Sequence, residues 1–314
     1  MFQPSTSTDP VSASTVQDKF SGITPRALGR DEIRIIVRGF AEAALRCKRA
    51  GFDAIQLHAA QGYLLSQFLT PYTNRRCDAY GGNFESRLRI VVEIIRETRA
   101  LVGPDYPILV KLNGHDALPL RKGLKTRALL KIAQRLEAEG VDAIEVSVGH
   151  YESGFPAIRG TFDRFFKALL EEGVGREYPR RKQSMMRLTR SAITMLANRI
   201  WPYVQGFNLP YATQFKDVLN IPVICVGGFK TADAMTGAVQ SGQCDAVSIA
   251  RAMIADPYLV RHIRVGESGP ACQFCSTCLA HIGSRPLTCD HPAIAQERAL
   301  MLAQEGSQSD AHAA

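Results

Sequence analysis

Apolar positions along this chain fall into two alternating patterns. Short, nearly continuous apolar runs occur at 53–58 (DAIQLH), 107–112 (PILVKL), 142–148 (DAIEVSV), 221–226 (IPVICV) and 245–250 (DAVSIA). Runs of this length are what strands covered on both faces require. Between them apolar residues return at helical spacing. In the first such stretch Ile33, Ile36, Phe40, Ala43, Ala44 and Cys47 share one side. The pattern predicts helices near 30–49, 84–102, 124–139, 184–203, 210–219 and 231–241.

One phrase recurs where a helix hands over to a strand. It reads Ala50-Gly51-Phe52-Asp53-Ala54-Ile55, then Glu139-Gly140-Val141-Asp142-Ala143-Ile144, and loosely Ser241-Gly242-Gln243-Cys244-Asp245-Ala246-Val247. Gly accepts the left-handed conformation that ends a helix, and Asp tolerates the turn before a buried strand. Three copies predict a repeating α/β layer fold with a parallel sheet. Five strands are visible and no sixth. Residues 1–26, rich in Ser, Thr, Pro and Asp, predict a disordered arm. The chain after about Glu297 carries a similar expectation, with a helical turn or two in ERALMLAQE.

Composition narrows the classes. Hydrophobic residues make up 46% and charged residues 22%, which suits a globular domain and excludes a disordered chain. No stretch has the ~18 uninterrupted apolar residues of a membrane span, and the first twenty residues lack a signal-peptide core. A cytoplasmic protein is therefore expected. The net charge is +8, from 38 basic and 30 acidic residues. The basic residues are spread out, apart from a concentration between Arg176 and Arg190, and do not interleave with aromatics, so nucleic-acid binding is not expected. Within 185–204 lies a basic, amphipathic helix carrying the only Trp. Packing on the main body is its simplest use; a lid or a membrane-surface element is the alternative. Of eight cysteines, four cluster as Cys272, Cys275, Cys278 and Cys289. In a cytosolic chain this favours a metal site over disulfides, with structural thiols as the alternative.

The first chemical motif is His58-Ala59-Ala60-Gln61-Gly62-Tyr63, which follows the first strand. Parallel α/β folds place functional groups where strands end. His58 and Gln61 can donate to a ligand oxygen and Tyr63 can deliver a proton. Taken alone, the motif also suits an ordinary loop. A long polar loop follows, from Gln67 to Arg87, with a Gly81-Gly82 pair and Asn83 placed to cap a helix. With this loop the chain resembles the old yellow enzyme family of NADH:flavin oxidoreductases, whose phrase is close to H-x-A-[NH]-G-Y-L-x-x-Q-F-L-x-P-x-x-N-x-R-x-D-x-Y-G-G-S-x-E-N-R. Lys111 ends the second strand, Gly227-Gly228-Phe229 follows the fourth, and Ala250-Arg251 follows the fifth, leading into Met253-Ile254-Ala255-Asp256-Pro257. The family reads G-G-[IFY] and G-R-x-x-[IL]-A-D-P at the last two places, so Ala250 replaces a Gly. A strand-end Lys facing solvent and a phosphate site for another ligand remain the plain alternatives.

The resemblance, from about Pro25 to Pro292, implies a (β/α)8 TIM barrel of the FMN-linked type, incomplete, with family strands 4–8 present and 1–3 missing. It implies a partial barrel over 27–265, a cysteine-containing extension over 266–295 and a flexible tail over 296–314. It further implies hydride passage from NADH or NADPH through FMN to an enone or enoyl substrate. His58 and Gln61 would polarise the carbonyl and Tyr63 would protonate the α-carbon. Lys111 would stabilise the reduced flavin, and Gly227, Gly228, Ala250 and Arg251 would hold its phosphate. Gln61 stands where the family has Asn or His. His150 and Tyr151 would lie on the active face; Asn113, His115 and Asp116 acquire no role. Family members similar to 2,4-dienoyl-CoA reductase carry C-x2-C-x3-C-x11-C after the barrel. Here the spacing is x2, x2 and x10, which leaves a 4Fe-4S cluster, Zn or structural thiols open. A homo-oligomer or a complementing N-terminal fragment is the implied protein partner. The competing expectations are a truncated or partner-completed, non-catalytic subunit, and a different phosphate-binding barrel enzyme such as an aldolase or isomerase.

Overall fold

In a computed structural model the chain is described over residues 9–19, 21–118 and 123–312. Two short parallel strands, β1 (Val11–Ser12) and β2 (Arg26–Ala27), come first. Then follow α1 (Arg30–Arg49), β3 (Ile55–His58), α2 (Leu64–Leu69), α3 (Phe84–Val102), β4 (Ile108–Asn113), α4 (Thr126–Ala138) and β5 (Ala143–Ser147). The segment between β5 and the next strand holds α5 (Phe155–Ile158), α6 (Phe165–Glu171), α7 (Arg180–Ile200) and α8 (Leu209–Lys216). The chain closes with β6 (Val223–Val226), α9 (Ala232–Gln240), β7 (Ala246–Ser248), α10 (Arg251–Ala255), α11 (Leu259–Val265), α12 (Thr277–Ala280) and α13 (Pro292–His312).

Strands β3 to β7 form one parallel sheet in sequence order, as the five apolar runs predicted. Alternation sorts its two faces. Ile108, Val110, Leu112, Ile144, Val146, Val223 and Cys225 are buried on one side, in the core that joins the sheet to its helices. α4 packs on β4, α8 on β6 and α9 on β7. The other side carries Gln56, His58, Lys111 and Glu145.

The recurring junction has a uniform geometry. Gly51, Gly140 and Gly242 adopt φ of 85°, 84° and 71°, where a Cβ would be strained. The aspartates do more than tolerate a turn. Asp142 Oδ2 accepts from the backbone N–H of Ile108 at 2.7 Å, and Asp245 Oδ2 accepts from that of Val223 at 2.7 Å. Each aspartate thus satisfies the first amide of the preceding strand. Among the described residues Asp53 has no such strand beside it; it is exposed and makes no hydrogen bond there.

Two sequence expectations need correction. The described part of 1–26 is not a disordered arm. β1 and β2 pair, Ala13 is fully buried, and Arg76 Nη1 donates to the carbonyls of Ala13 and Leu28 at 2.9 and 2.6 Å. Ser12 Oγ donates to Gln67 Oε1 at 2.8 Å, and Ser14 Oγ accepts from the Arg75 amide at 2.9 Å. The polar loop after α2 is what orders this segment. Nor is the described part of 296–314 without structure: α13 is helical to His312, and at its start, ahead of that range, Ile294 joins Ala252, Ala255, Cys272 and Phe274 in a small second core.

Candidate functional site

His58 and Lys111 are register partners on adjacent strands, and Lys111 in turn pairs with Glu145 on β5. This puts a histidine, a lysine and a carboxylate in one row across the sheet, on the face away from the helices. Lys111 Nζ lies 2.8 Å from Glu145 Oε1, and Gln56 Nε2 donates to Glu145 Oε2 at 2.8 Å. Glu145 was not foreseen as a site residue. Its only sequence signal is a charge in the middle of a buried strand.

His58 accepts from the Ala60 amide at Nδ1, 3.3 Å, which leaves Nε2–H as the donor of the neutral ring. Burial, and then the charge of Lys111, hold its pKa below the ordinary histidine value. The Tyr63 ring lies 4.7 Å from the His58 ring, centroid to centroid, and burial raises the phenol's pKa, keeping its proton in place. These two predicted residues are therefore brought together with Lys111.

Gln61 is placed differently. Its side-chain amide donates to Ser147 Oγ at 2.9 Å, and its backbone N–H donates to Asn113 Oδ1 at 3.1 Å. Gln61 sits at φ 58°, an uncommon conformation for a residue with a side chain, and the neighbouring Gly62 sits at φ 82°. A Cβ on Gly62 would lie 2.5 Å from His150 Nε2, so only glycine fits. Asn113 also donates to Asp116 Oδ1 and to the Gly149 carbonyl, both at 2.8 Å, and Asp116 Oδ2 accepts from the Leu124 amide. These residues stitch strand-end loops together. His150 is buried and stacks on Tyr151 at 4.6 Å.

At β6 and β7 the structure gathers a set of cations. Gly227 and Gly228 follow β6, and Gly228 has φ 73°. The guanidinium of Arg251, expected at a phosphate, reaches into the cysteine segment. It donates to Ser276 Oγ at 3.1 Å and to the Arg159 carbonyl at 3.0 Å, and lies 4.6 Å above the Phe274 ring. Lys230 Nζ lies 5.4 Å from the centre of the Tyr203 ring, which stacks on Phe274 at 4.0 Å. Arg159 lies over Phe207 at 5.1 Å, with its Nε buried and unpartnered. Among the described residues none of these three cations forms an ion pair with a carboxylate. Arg159 and Lys230 fell outside every recognised motif. Ala250 is the exposed residue that opens α10.

The cysteine segment turns through two left-handed non-glycine residues, Phe274 (φ 50°) and Ser276 (φ 58°). The Phe274 amide donates to Cys272 Sγ at 3.4 Å and Thr277 Oγ1 to Cys275 Sγ at 3.2 Å. All four cysteines are free, and burial raises the Cys272 and Cys289 thiols and pushes Cys278 up to about 12. Among the described residues no group of three or more His, Cys, Asp or Glu side chains is arranged to hold a metal ion. With no such arrangement among the described residues, no metal is placed on these four cysteines and no chemical step is assigned to them. A cavity of about 680 Å³ lies apart from this chemistry, between α11 and α13, lined by Arg261, His262, Glu297, Leu300 and Glu305.

A model of the NADH:flavin oxidoreductase / NADH oxidase family matches residues 3–172, beginning inside the stretch expected to be disordered. An NADH oxidase of Thermoanaerobacter brockii is 34% identical over 276 residues, 88% of this chain and 36% of that protein. By structure, 2-naphthoyl-CoA reductase in complex with 2-naphthoyl-CoA superposes with a TM-score of 0.69 at 22% identity, over 92% of this chain and 39% of the other. The old yellow enzyme homologue from Zymomonas mobilis gives 0.56 at 21% identity, over 85% and 64%. A parallel α/β sheet is thus the framework this chain shares with these structures. The chain belongs to the NADH:flavin oxidoreductase / NADH oxidase family, and spans little more than a third of the length of the NADH oxidase it matches. No helix among the described residues is long and apolar enough to cross a membrane.

Proposed function

We propose that this chain carries the substrate- and FMN-binding strand ends of an ene-reductase-type oxidoreductase built on a (β/α)8 barrel, of which β3 to β7 are the fourth to eighth strands. The observation that carries the proposal is the register row His58–Lys111 with Tyr63 at its end. The residues present fit FMN. Lys111 offers a cation for negative charge on the flavin ring, and Arg159, Lys230 and Arg251, without carboxylate partners, offer charge for a phosphate near Gly227-Gly228. Bound FMN would supply hydride transfer from NADH or NADPH to the β-carbon of an α,β-unsaturated carbonyl.

The chain's own residues supply the rest. His58 Nε2–H donates to the carbonyl oxygen. Gln61 joins it on release from Ser147, a rotation of one side chain. Tyr63, protonated and beside His58, delivers its proton to the α-carbon. Glu145 fixes the Lys111 ammonium in place. The similarity to 2-naphthoyl-CoA reductase supports a conjugated acyl thioester as one substrate of this kind. The cysteine segment packs around Phe274 and receives no redox role. Eight unpaired thiols suit a reducing, cytoplasmic location.

Absorbance and fluorescence titration with FMN, followed by NAD(P)H-dependent reduction of a cyclic enone, tests the proposal. Binding with quenching, and turnover lost in Tyr63→Phe with binding kept, is the expected result. No FMN binding by the folded chain refutes it. A second reading, that another chain completes the site beside β3, is favoured by Asp53, whose equivalents Asp142 and Asp245 both hold the first amide of a neighbouring strand. FMN binding that appears only on adding such a partner selects it.

A further inference from the structure

Helix α7 is apolar on two sides. Its inner side, Met186, Ile193 and Ala197, packs with Trp201 against Phe162 and Phe166. Its outer side repeats the pattern: Met185, Leu188, Ala192 and Met195 follow one another at helical spacing, with Leu196 and Ile200 alongside. These side chains face solvent. Leu188 is 86% exposed and Met195 70%, and Met185, Leu196, Ile200 and Val204 are each about half exposed or more. Large exposed apolar side chains concentrate here more than anywhere else among the described residues, and such patches mark interaction surfaces.

The charge on the helix says what covers it. Arg180, Arg181, Lys182, Arg187, Arg190 and Arg199 lie within α7, which contains no Asp or Glu. Arg181 and Arg199 stand at the two ends of the outer stripe. Two copies of this helix pressed together would set arginine against arginine. An apolar stripe on a helix whose only charges are cationic complements a surface with acyl chains below and phosphates above.

We propose that the outer side of α7 docks on an anionic lipid bilayer. Met185, Leu188, Met195 and Leu196 enter the acyl boundary, and Arg181, Arg187 and Arg199 pair with lipid phosphates. The helix lies on the membrane rather than through it, and the inference is independent of the flavin proposal.

Co-sedimentation of the full chain with phosphatidylcholine vesicles, with and without about one third phosphatidylglycerol, tests this. The chain is expected to bind the anionic vesicles at least about tenfold more, and to release at high salt. Leu188→Glu with Met195→Glu is expected to abolish binding, and Arg181→Gln with Arg199→Gln to remove most of the preference for anionic lipid. Thermal melts identify folded variants; where the Glu pair does not fold, the Gln pair decides alone. Equal binding to both vesicles, or wild-type binding by a folded Glu pair, overturns the proposal. So does a dimer in sedimentation velocity that the Glu pair dissolves, since the face then belongs to a second copy.

Discussion

Lys111 on β4 and Glu145 on β5 form an ion pair at 2.8 Å, on the face of the sheet away from the helices. The lysine is 19% exposed and the glutamate 7%, so each holds the other's charge in a largely dry setting. Removing one partner strands the other. Lys111→Met is expected to cost about 3 kcal/mol, read as a lower urea midpoint. Glu145→Gln retains a partner for Gln56 and frees the ammonium. It is expected to tighten FMN binding by about threefold or more in a fluorescence titration. An unchanged affinity would mean that Glu145 does not govern the charge offered to the cofactor.

His58 yields a prediction about pH. Its folded-state pKa is depressed, chiefly by burial and secondly by Lys111. The unfolded chain, with a histidine pKa of about 6.5, takes up a proton that the folded chain refuses. This part of the stability is therefore full above about pH 6.5 and is lost as pH falls from there toward the folded value. His58→Gln should flatten the difference between urea melts at pH 7.5 and 5.5. An imidazole titration midpoint at or above about 6.5, followed by NMR, would contradict the assignment.

Arg76 holds the N-terminal segment. Its guanidinium pairs with Asp78 at 2.7 Å while donating to the carbonyls of Ala13 and Leu28. Arg76→Met leaves both carbonyls and the Asp78 carboxylate without it, at an expected cost of about 2 kcal/mol or more. Limited proteolysis should then cut within 9–27 under conditions where the wild-type chain is resistant. Cleavage at wild-type rates would show that the segment is held by Ser12 and Ser14 instead.

The junction aspartates should differ in worth. Asp245→Ala removes the acceptor for the Val223 amide and the 2.9 Å partner of Lys216, an expected loss of about 1–2 kcal/mol. Asp53→Ala, at the exposed edge, should change stability by less than about 0.5 kcal/mol. Equal losses in chemical denaturation would mean that the hydrogen bond across the sheet is not what these residues contribute.

The five strands of the main sheet and their order were legible in the sequence because their signals are local: an apolar run, a helix-ending glycine, an aspartate two or three residues later. His58, Tyr63 and Lys111 were legible for the same reason, since each closes or follows such a run. What escaped depends on distant partners. The first 26 residues carry no periodicity, and Ser12, Ala13 and Ser14 among them are held by Gln67, Arg76 and Arg75, some fifty to sixty residues on. Arg251 sits in a recognisable motif, yet Ser276 and the carbonyl of Arg159 set where its guanidinium lies. Arg159 and Lys230 belong to no motif, and only the folded chain brings them to the same end of the sheet. The spacing of the four cysteines left a metal site and structural thiols open, and among the described residues no group of three or more such side chains is arranged to hold a metal ion.

The junction aspartates also give the sheet a direction of assembly. Each carboxylate sits on the later strand and closes an amide on the earlier one, so the amide of Ile108 stays open until Asp142 has been synthesised, and that of Val223 until Asp245 has. A chain emerging from the ribosome therefore locks β4 and β6 retroactively, each provisional until the strand that follows it arrives.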